Sequence, residues 1–163
     1  MSWETRPVTP DRFEDFADVI NHTRRVNHCW CLSHRLQPSE IEQLGDGNRE
    51  QAMRSLCERD HPPGVVTYRD GEPVGWCNIG PRTEITRLAR SRLIRPADDL
   101  PVWSIVCVIV RPGHRRRGVT APLIEGASGL CRLARRARGG GIPRRPFGTD
   151  GCDHGVRGHE VDV

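Results

Sequence analysis

Four arginines crowd one short stretch of this chain: Arg111, Arg115, Arg116 and Arg117, with Gly113 among them and Gly118 closing the run. Guanidinium groups pair bidentately with phosphate or carboxylate, and glycine lets an anion come close to the main chain. The pattern therefore points to anion binding, mostly through backbone amides with the side chains adding attraction. His114 lies in the same turn, where a solvent-exposed loop position is its default. Cys29-Trp30-Cys31 has one residue between its thiols, too tight for a CxxC zinc knuckle, and no second pair follows at suitable spacing. It reads as buried or substrate-lining. Glu84, Asp98 and Asp99 are the nearby carboxylates, each read as a solvated loop residue. Cys152, Asp153, His154 and His159 have metal-donor types, but glycines crowd them, so no metal is expected.

The elements around the arginines sharpen the chemistry. Val102 to Val110 is a β-branched run that reads as a buried strand. Arg111-Pro112-Gly113 breaks it, and Thr120 with Pro122 marks a helix start, Thr120 being a possible N-cap. Strand, basic glycine turn and helix N-terminus make an anion cradle, because first-turn amides and the helix dipole favour negative charge. A P-loop needs GxxxxGK[ST], and the chain has no lysine. A dinucleotide turn needs GxGxxG, of which only Gly113 and Gly118 are present.

Arg115-x-x-Gly118-x-Thr120 resembles the R/Q-x-x-G-x-G/A element of the GCN5-related N-acetyltransferases, which holds the pyrophosphate of acetyl-CoA. Thr120 departs from the usual Gly/Ala. CWCLSHR (Cys29 to Arg35), GNREQAMRSL (Gly47 to Leu56), PVGWCNIGPR (Pro73 to Arg82) and the PVWSIVCVIVRPGHRRRGV block extend the resemblance to a bacterial branch, over roughly residues 1–128. It implies an α/β (α+β) acyl-CoA N-acyltransferase fold: a mixed central sheet with flanking helices, here truncated after the cofactor-binding helix. The implied reaction moves an acetyl group from acetyl-CoA to an amine of a small molecule or protein. By the same resemblance, Val108, Ile109 and Val110 present unpaired backbone groups to the thioester where the strand splays from its neighbour. Arg115, Arg116, Arg117, Gly118, Val119 and Thr120 hold the pyrophosphate. Many members carry a carboxylate on the strand leading to the cofactor, where this chain has Trp103 and Ser104, so no catalytic base is assigned. A late tyrosine often protonates the leaving thiolate, but the only tyrosine is Tyr68.

At 163 residues the chain is long enough for one core. No apolar run approaches a membrane span, and the N-terminus lacks the basic flank and apolar stretch of a secretory signal. Seven cysteines at irregular spacing suggest reduced thiols and a cytoplasmic location. Residues 1–110 hold 14 arginines against 16 acids, and residues 111–163 hold 11 against 5. That basic last third is the basis of a competing reading, a non-enzymatic binder of nucleic acid or an anionic surface. Few aromatics interleave with the arginines, which counts against nucleic acid as the partner.

The remaining elements follow from periodicity. Trp3 to Val8 suits a strand, and Pro10 to Ile20 a helix with Phe13, Phe16, Val19 and Ile20 on one face. Ser39 to Asp60 suits a helix with Ser39 and Glu42 as capping box, split at Gly45 and Gly47. Gly64 to Tyr68 and Pro73 to Ile79 flank an Asp70-Gly71 hairpin turn, with Trp76 read as core. Thr83 to Ile94 is predicted helical. After Ser128 composition changes: eight glycines and seven arginines fall in residues 129–163, and Gly139-Gly140-Gly141 stops any helix. The expected division is thus an incomplete N-acetyltransferase domain, 1–128, and a disordered Arg/Gly-rich tail, 129–163. A one-base shift of reading frame from Gly129 permits a stop-free peptide with a helix end, a strand and a final aromatic segment, so a frameshift near codon 128 is expected to leave activity impaired. Resequencing codons 125–130 checks it.

Overall fold

The computed structural model describes residues 2–137. Its elements run β1 (Trp3–Pro7), α1 (Phe13–Ile20), α2 (Pro38–Leu44), α3 (Arg49–Cys57), β2 (Gly64–Arg69), β3 (Glu72–Pro81), α4 (Thr86–Ala89), β4 (Trp103–Val110) and α5 (Thr120–Ala137). This is the predicted order. The strands form one sheet in the order β1-β2-β3-β4, and all three pairings are antiparallel. The parallel member of a mixed sheet is not among the described strands. The Arg/Gly-rich stretch from 138 onward, with its cysteine and histidines, lies outside the described residues.

Side chains alternate across the sheet and divide the core in two. Val66, Tyr68 and Trp76 face α1 and α3 with Phe13, Phe16, Trp30, Leu32 and Met53. Trp76 is fully buried, as read, and meets Phe16 edge-on at 4.5 Å. Val65, Cys77, Ile79 and Trp103 face the other way, onto Leu123, Ala127, Leu130 and Cys131 of α5. The β2–β3 hairpin turns on Asp70 and Gly71, at φ of 51° and 87°, the pair of left-handed residues that a DG turn supplies.

Four local expectations shift. The helix expected over Thr83 to Ile94 is only Thr86–Ala89, and the strand expected to be buried is an edge strand in which only Trp103 is buried. The capping interaction of α2 is made by Gln37, whose N–H donates to Glu40 Oε2 at 2.8 Å, instead of by Ser39 and Glu42. Pro38 sets the helical φ one residue earlier than serine would. Helix α5 continues nine residues past Ser128, to Ala137. Leu123, Ala127, Leu130, Cys131 and Ala134 recur at helical spacing and pack on the sheet, which outweighs the glycines and arginines between them. Gly126 is required here, since a Cβ would lie 2.2 Å from Thr5 Cγ2. No described helix is long and apolar enough to cross a membrane.

Candidate active site

Strand β4 is the edge of the described sheet, with β3 on one side and no described strand on the other. Cys107 pairs with Asn78 and Ile105 with Ile79, so Val106 is unopposed and forms a β-bulge. Beyond it Val108, Ile109 and Val110 stay in register with Cys77, Trp76 and Gly75. The expected splay is therefore at Val106, two residues early. Backbone direction alternates along an antiparallel strand. Because Arg111 N–H donates to Val74 C=O at 2.9 Å, Ile109 also addresses β3, while Val108 and Val110 turn their N–H and C=O groups outward. Arg115 Nε donates to Val110 C=O at 3.3 Å from that outer side. Ile109 is thus removed from the expected set of edge donors. Its side chain packs on the aromatic cluster instead.

The turn after β4 is built from left-handed residues: Gly113, Arg116 and Gly118 have φ of 88°, 59° and 80°. Its own hydrogen bonding stops at His114 N–H to Arg111 C=O, 3.1 Å. From Arg115 to Val119, no amide donates to a protein acceptor among the described residues. Val119 C=O accepts from Leu123 N–H at 3.3 Å, so Val119 stands at the N-cap position and Thr120 is the first helical residue, not the cap. The first-turn amides of α5 point into the same space, and Pro122 has no N–H to lose.

The predicted residues divide by role. Arg115, Arg116, Arg117, Gly118 and Thr120 are exposed, and Arg116 and Arg117 make no ion pair or hydrogen bond among the described residues. Val119 is buried, so it offers the turn only its backbone. It sits on Gly75, where a Cβ would lie 2.8 Å from Val119 Cγ1. That close approach docks the turn onto the sheet. Glu72 supplies a second anchor that sequence reasoning missed. Its Oε1 accepts from Arg111 Nη1 at 3.0 Å and lies 3.7 Å from His114 Nε2. His114 is consequently half-buried, not a solvent-exposed loop residue.

The proton-transfer candidates lie elsewhere. His61 Nδ1 and Glu84 Oε1 are 2.7 Å apart beside Trp103, at the opposite end of β4 from the turn. Asp98 and Asp99 line a cavity of about 570 Å³ between the 82–102 segment and the last turns of α5. Tyr68 donates to Asp15 Oδ2 at 2.6 Å, and burial raises its pKa, so its phenol is committed within the core. No group of three or more His, Cys, Asp or Glu side chains is arranged for a metal ion among the described residues.

A bulged edge strand, a glycine turn with free amides and a helix start define an acyl-CoA-dependent acyltransferase fold. The chain belongs to the Acetyltransferase (GNAT) family, which it matches over residues 27–142. It is an acyltransferase whose reaction is acetyl transfer to an amine. No curated protein matches it. Among solved structures it is similar to AAC(6')-Iy in complex with the bisubstrate analogue CoA-S-monomethyl-acetylneamine, at 16% identity and TM-score 0.50, over 92% of this chain and 98% of that one. A second structure of aminoglycoside N-acetyltransferase AAC(6')-Iy, in complex with CoA, gives 14% identity and TM-score 0.50 over 91% and 94%. These likenesses establish the shared fold.

Proposed function

We propose that acetyl-CoA is the donor and that it lies along the outer edge of β4. The free amides from Arg115 to Val119 carry this reading, because unpaired main-chain donors beside a helix start are an anion site. Gly118 gives the pyrophosphate its close approach, Thr120 contributes its first-turn amide, and Arg116 and Arg117 add long-range attraction. Arg115 both faces the phosphates and ties the turn to Val110 C=O.

The thioester carbonyl accepts from the outward N–H of Val108 or Val110. A preorganised donor there stabilises the tetrahedral oxyanion, an effect worth roughly 3 kcal/mol per donor in acyl transfer. The acceptor is an amine of a small molecule or protein. It attacks in its neutral form, and no carboxylate or histidine stands on β4 to take its proton. No residue of β4 is therefore assigned that proton. The irregular spacing of the seven cysteines is the basis for placing the protein in a reducing, cytoplasmic setting.

Calorimetric titration of the full chain with acetyl-CoA tests the reading, with acetylated pantetheine as the probe lacking the nucleotide and pyrophosphate. Saturable binding of acetyl-CoA, a raised melting temperature and weak binding of the shorter thioester are expected. Equal affinity for both compounds would overturn the assignment of the turn.

A further inference from the structure

The connection between β3 and β4, residues 82–102, carries an exposed tip that the proposed transfer does not use. It is rooted in the core by Ile85, which is fully buried, and continues through the single turn of α4. Ser91 then folds it back: its Oγ accepts from Ile94 N–H at 2.9 Å and from Leu93 N–H at 3.3 Å. From the end of β3, Arg82 Nη2 donates to Ile94 C=O at 2.9 Å. The tip is thus held in place, and what it presents is apolar. Leu93 is 95% exposed and Ile94 52%. Ile94 also borders the cavity of about 570 Å³, so neither side chain is packed into the core. Adjacent aliphatic side chains this open on a structured turn mark a contact surface.

Arginines surround this pair. Arg87, Arg90, Arg92 and Arg95 are all exposed, and their side chains make no ion pair or hydrogen bond among the described residues. No acid occurs from Thr86 to Ala97, although residues 1–110 as a whole hold more acids than arginines. Asp98 and Asp99 follow, and Asp98 Oδ1 is engaged by Leu100 N–H at 3.1 Å. We propose that the 87–95 tip docks on an anionic membrane surface. Leu93 and Ile94 enter the headgroup layer, and the four guanidinium groups face the lipid phosphates and carboxylates.

The combination of charge and hydrocarbon selects this occupant. Guanidinium groups match lipid phosphate, and a lipid layer also takes up the leucine and isoleucine between them. A nucleic acid would match the arginines, but no exposed aromatic interleaves with them for bases to stack on. Trp103, the nearest aromatic in the chain, is buried. A second copy of the chain would set four arginines against four, because a two-fold contact repeats the same patch on both sides. The tip joins β3 to the start of β4, and the 115–119 turn follows the end of β4, so the two arginine clusters stand at opposite ends of that strand. Docking through the tip therefore leaves the turn open to acetyl-CoA.

The test is cosedimentation of the full chain with vesicles of phosphatidylcholine alone and of an equimolar mixture of phosphatidylcholine and phosphatidylserine. Expected is binding to the anionic vesicles only, weakening as salt rises. Arg92→Gln and Arg95→Gln should each weaken it about fivefold. Leu93→Ser should weaken it roughly tenfold. All three positions are exposed, so the melting temperature should stay unchanged. Saturating acetyl-CoA and Arg116→Ala should leave vesicle binding intact. Equal binding to neutral vesicles, binding to neither, or binding that survives both Leu93→Ser and Arg92→Gln would overturn the proposal. Release by acetyl-CoA would overturn it too, by placing the anchor in the turn after β4. Duplex DNA bound as tightly as the anionic vesicles and indifferent to Leu93→Ser would assign the arginines to nucleic acid instead, and self-association abolished by Leu93→Ser would assign the tip to a second copy.

Discussion

The Arg35 guanidinium donates to Oδ1 of Asn78 at 2.7 Å, and so fastens the loop after α1 to the middle of β3. Two more acceptors, Pro63 C=O at 3.2 Å and Ile79 C=O at 3.4 Å, complete its Nη1 contacts. Burial lowers the Arg35 pKa to about 10, which leaves it charged at neutral pH. Asn78 returns its amide to Cys31 C=O. Gly80 makes room for the group: a Cβ there would lie 2.5 Å from Arg35 Nη2. The CWCLSHR and PVGWCNIGPR segments are thus two halves of one buried polar junction.

Arg35→Ala should accordingly destabilise the fold by about 3–5 kcal/mol, because it strands several buried acceptors at once. Arg35→Lys should recover little, since an ammonium cannot reach the same acceptors in the guanidinium's plane. Urea denaturation reads this as a lower midpoint at unchanged slope. A loss below about 1 kcal/mol for the alanine variant would show that the junction is dispensable.

The turn should separate backbone strain from packing. Gly118 has φ of 80°, and a Cβ added to it would meet nothing within 4 Å, so Gly118→Ala incurs strain alone. We expect about 1–2 kcal/mol of lost stability and weaker acetyl-CoA binding. Gly75→Ala has ordinary space problems instead, with Val119 Cγ1 only 2.8 Å away. It should weaken acetyl-CoA binding by lifting the turn, although Gly75 itself lies across β4 from the proposed cofactor. Calorimetry on both variants checks the pair, and unchanged affinity in Gly75→Ala would separate Val119 docking from binding.

The cradle was legible because strand, glycine turn and helix start lie within twenty consecutive residues, where local rules apply. What holds the cradle was not. Glu72 reaches Arg111 across 39 residues, and Asn78 reaches Cys31 C=O across 47, contacts decided by tertiary packing that no local pattern reports. Gly75 was the available signal, since glycine within a strand marks a close backbone approach. The end of α5 was obscured differently. Arginine and glycine dominate its composition, while the few apolar positions, Leu130, Cys131 and Ala134, decide its packing. The inward direction of Ile109 was hidden too, because strand alternation depends on which side β3 lies.

Acid should loosen the α1–α3 junction. Glu14 accepts from Arg54 Nη2 at 2.7 Å and also pairs with Arg24 at 2.9 Å, while Arg54 lies over the Phe13 ring at 3.8 Å. The Arg54 hydrogen bond, with Arg24 assisting, lowers the Glu14 pKa. A carboxyl depressed in the folded state contributes stability above its unfolded pKa, about 4.3, and loses it as pH falls through the folded value. Melting temperature should therefore fall below about pH 4.3, and Glu14→Gln should flatten that part of the curve. An identical slope in the variant would place the acid sensitivity elsewhere.

Arg116 combines strain with charge, and the two can be pulled apart. It holds φ of 59°, is exposed, and makes no ion pair or hydrogen bond among the described residues. Arg116→Gly relieves a left-handed β-carbon and should stabilise the fold by up to about 1 kcal/mol, whereas Arg116→Ala removes the charge and keeps the strain. If attraction to phosphate is the residue's contribution, both variants should lose acetyl-CoA affinity to a similar extent. The loss should be largest at low salt and shrink as screening grows, because an exposed charge acts over about 10 Å at 0.1 M ionic strength. Titrations of both variants at two salt concentrations decide it. An affinity loss independent of salt would instead assign Arg116 a direct, desolvated contact with the pyrophosphate.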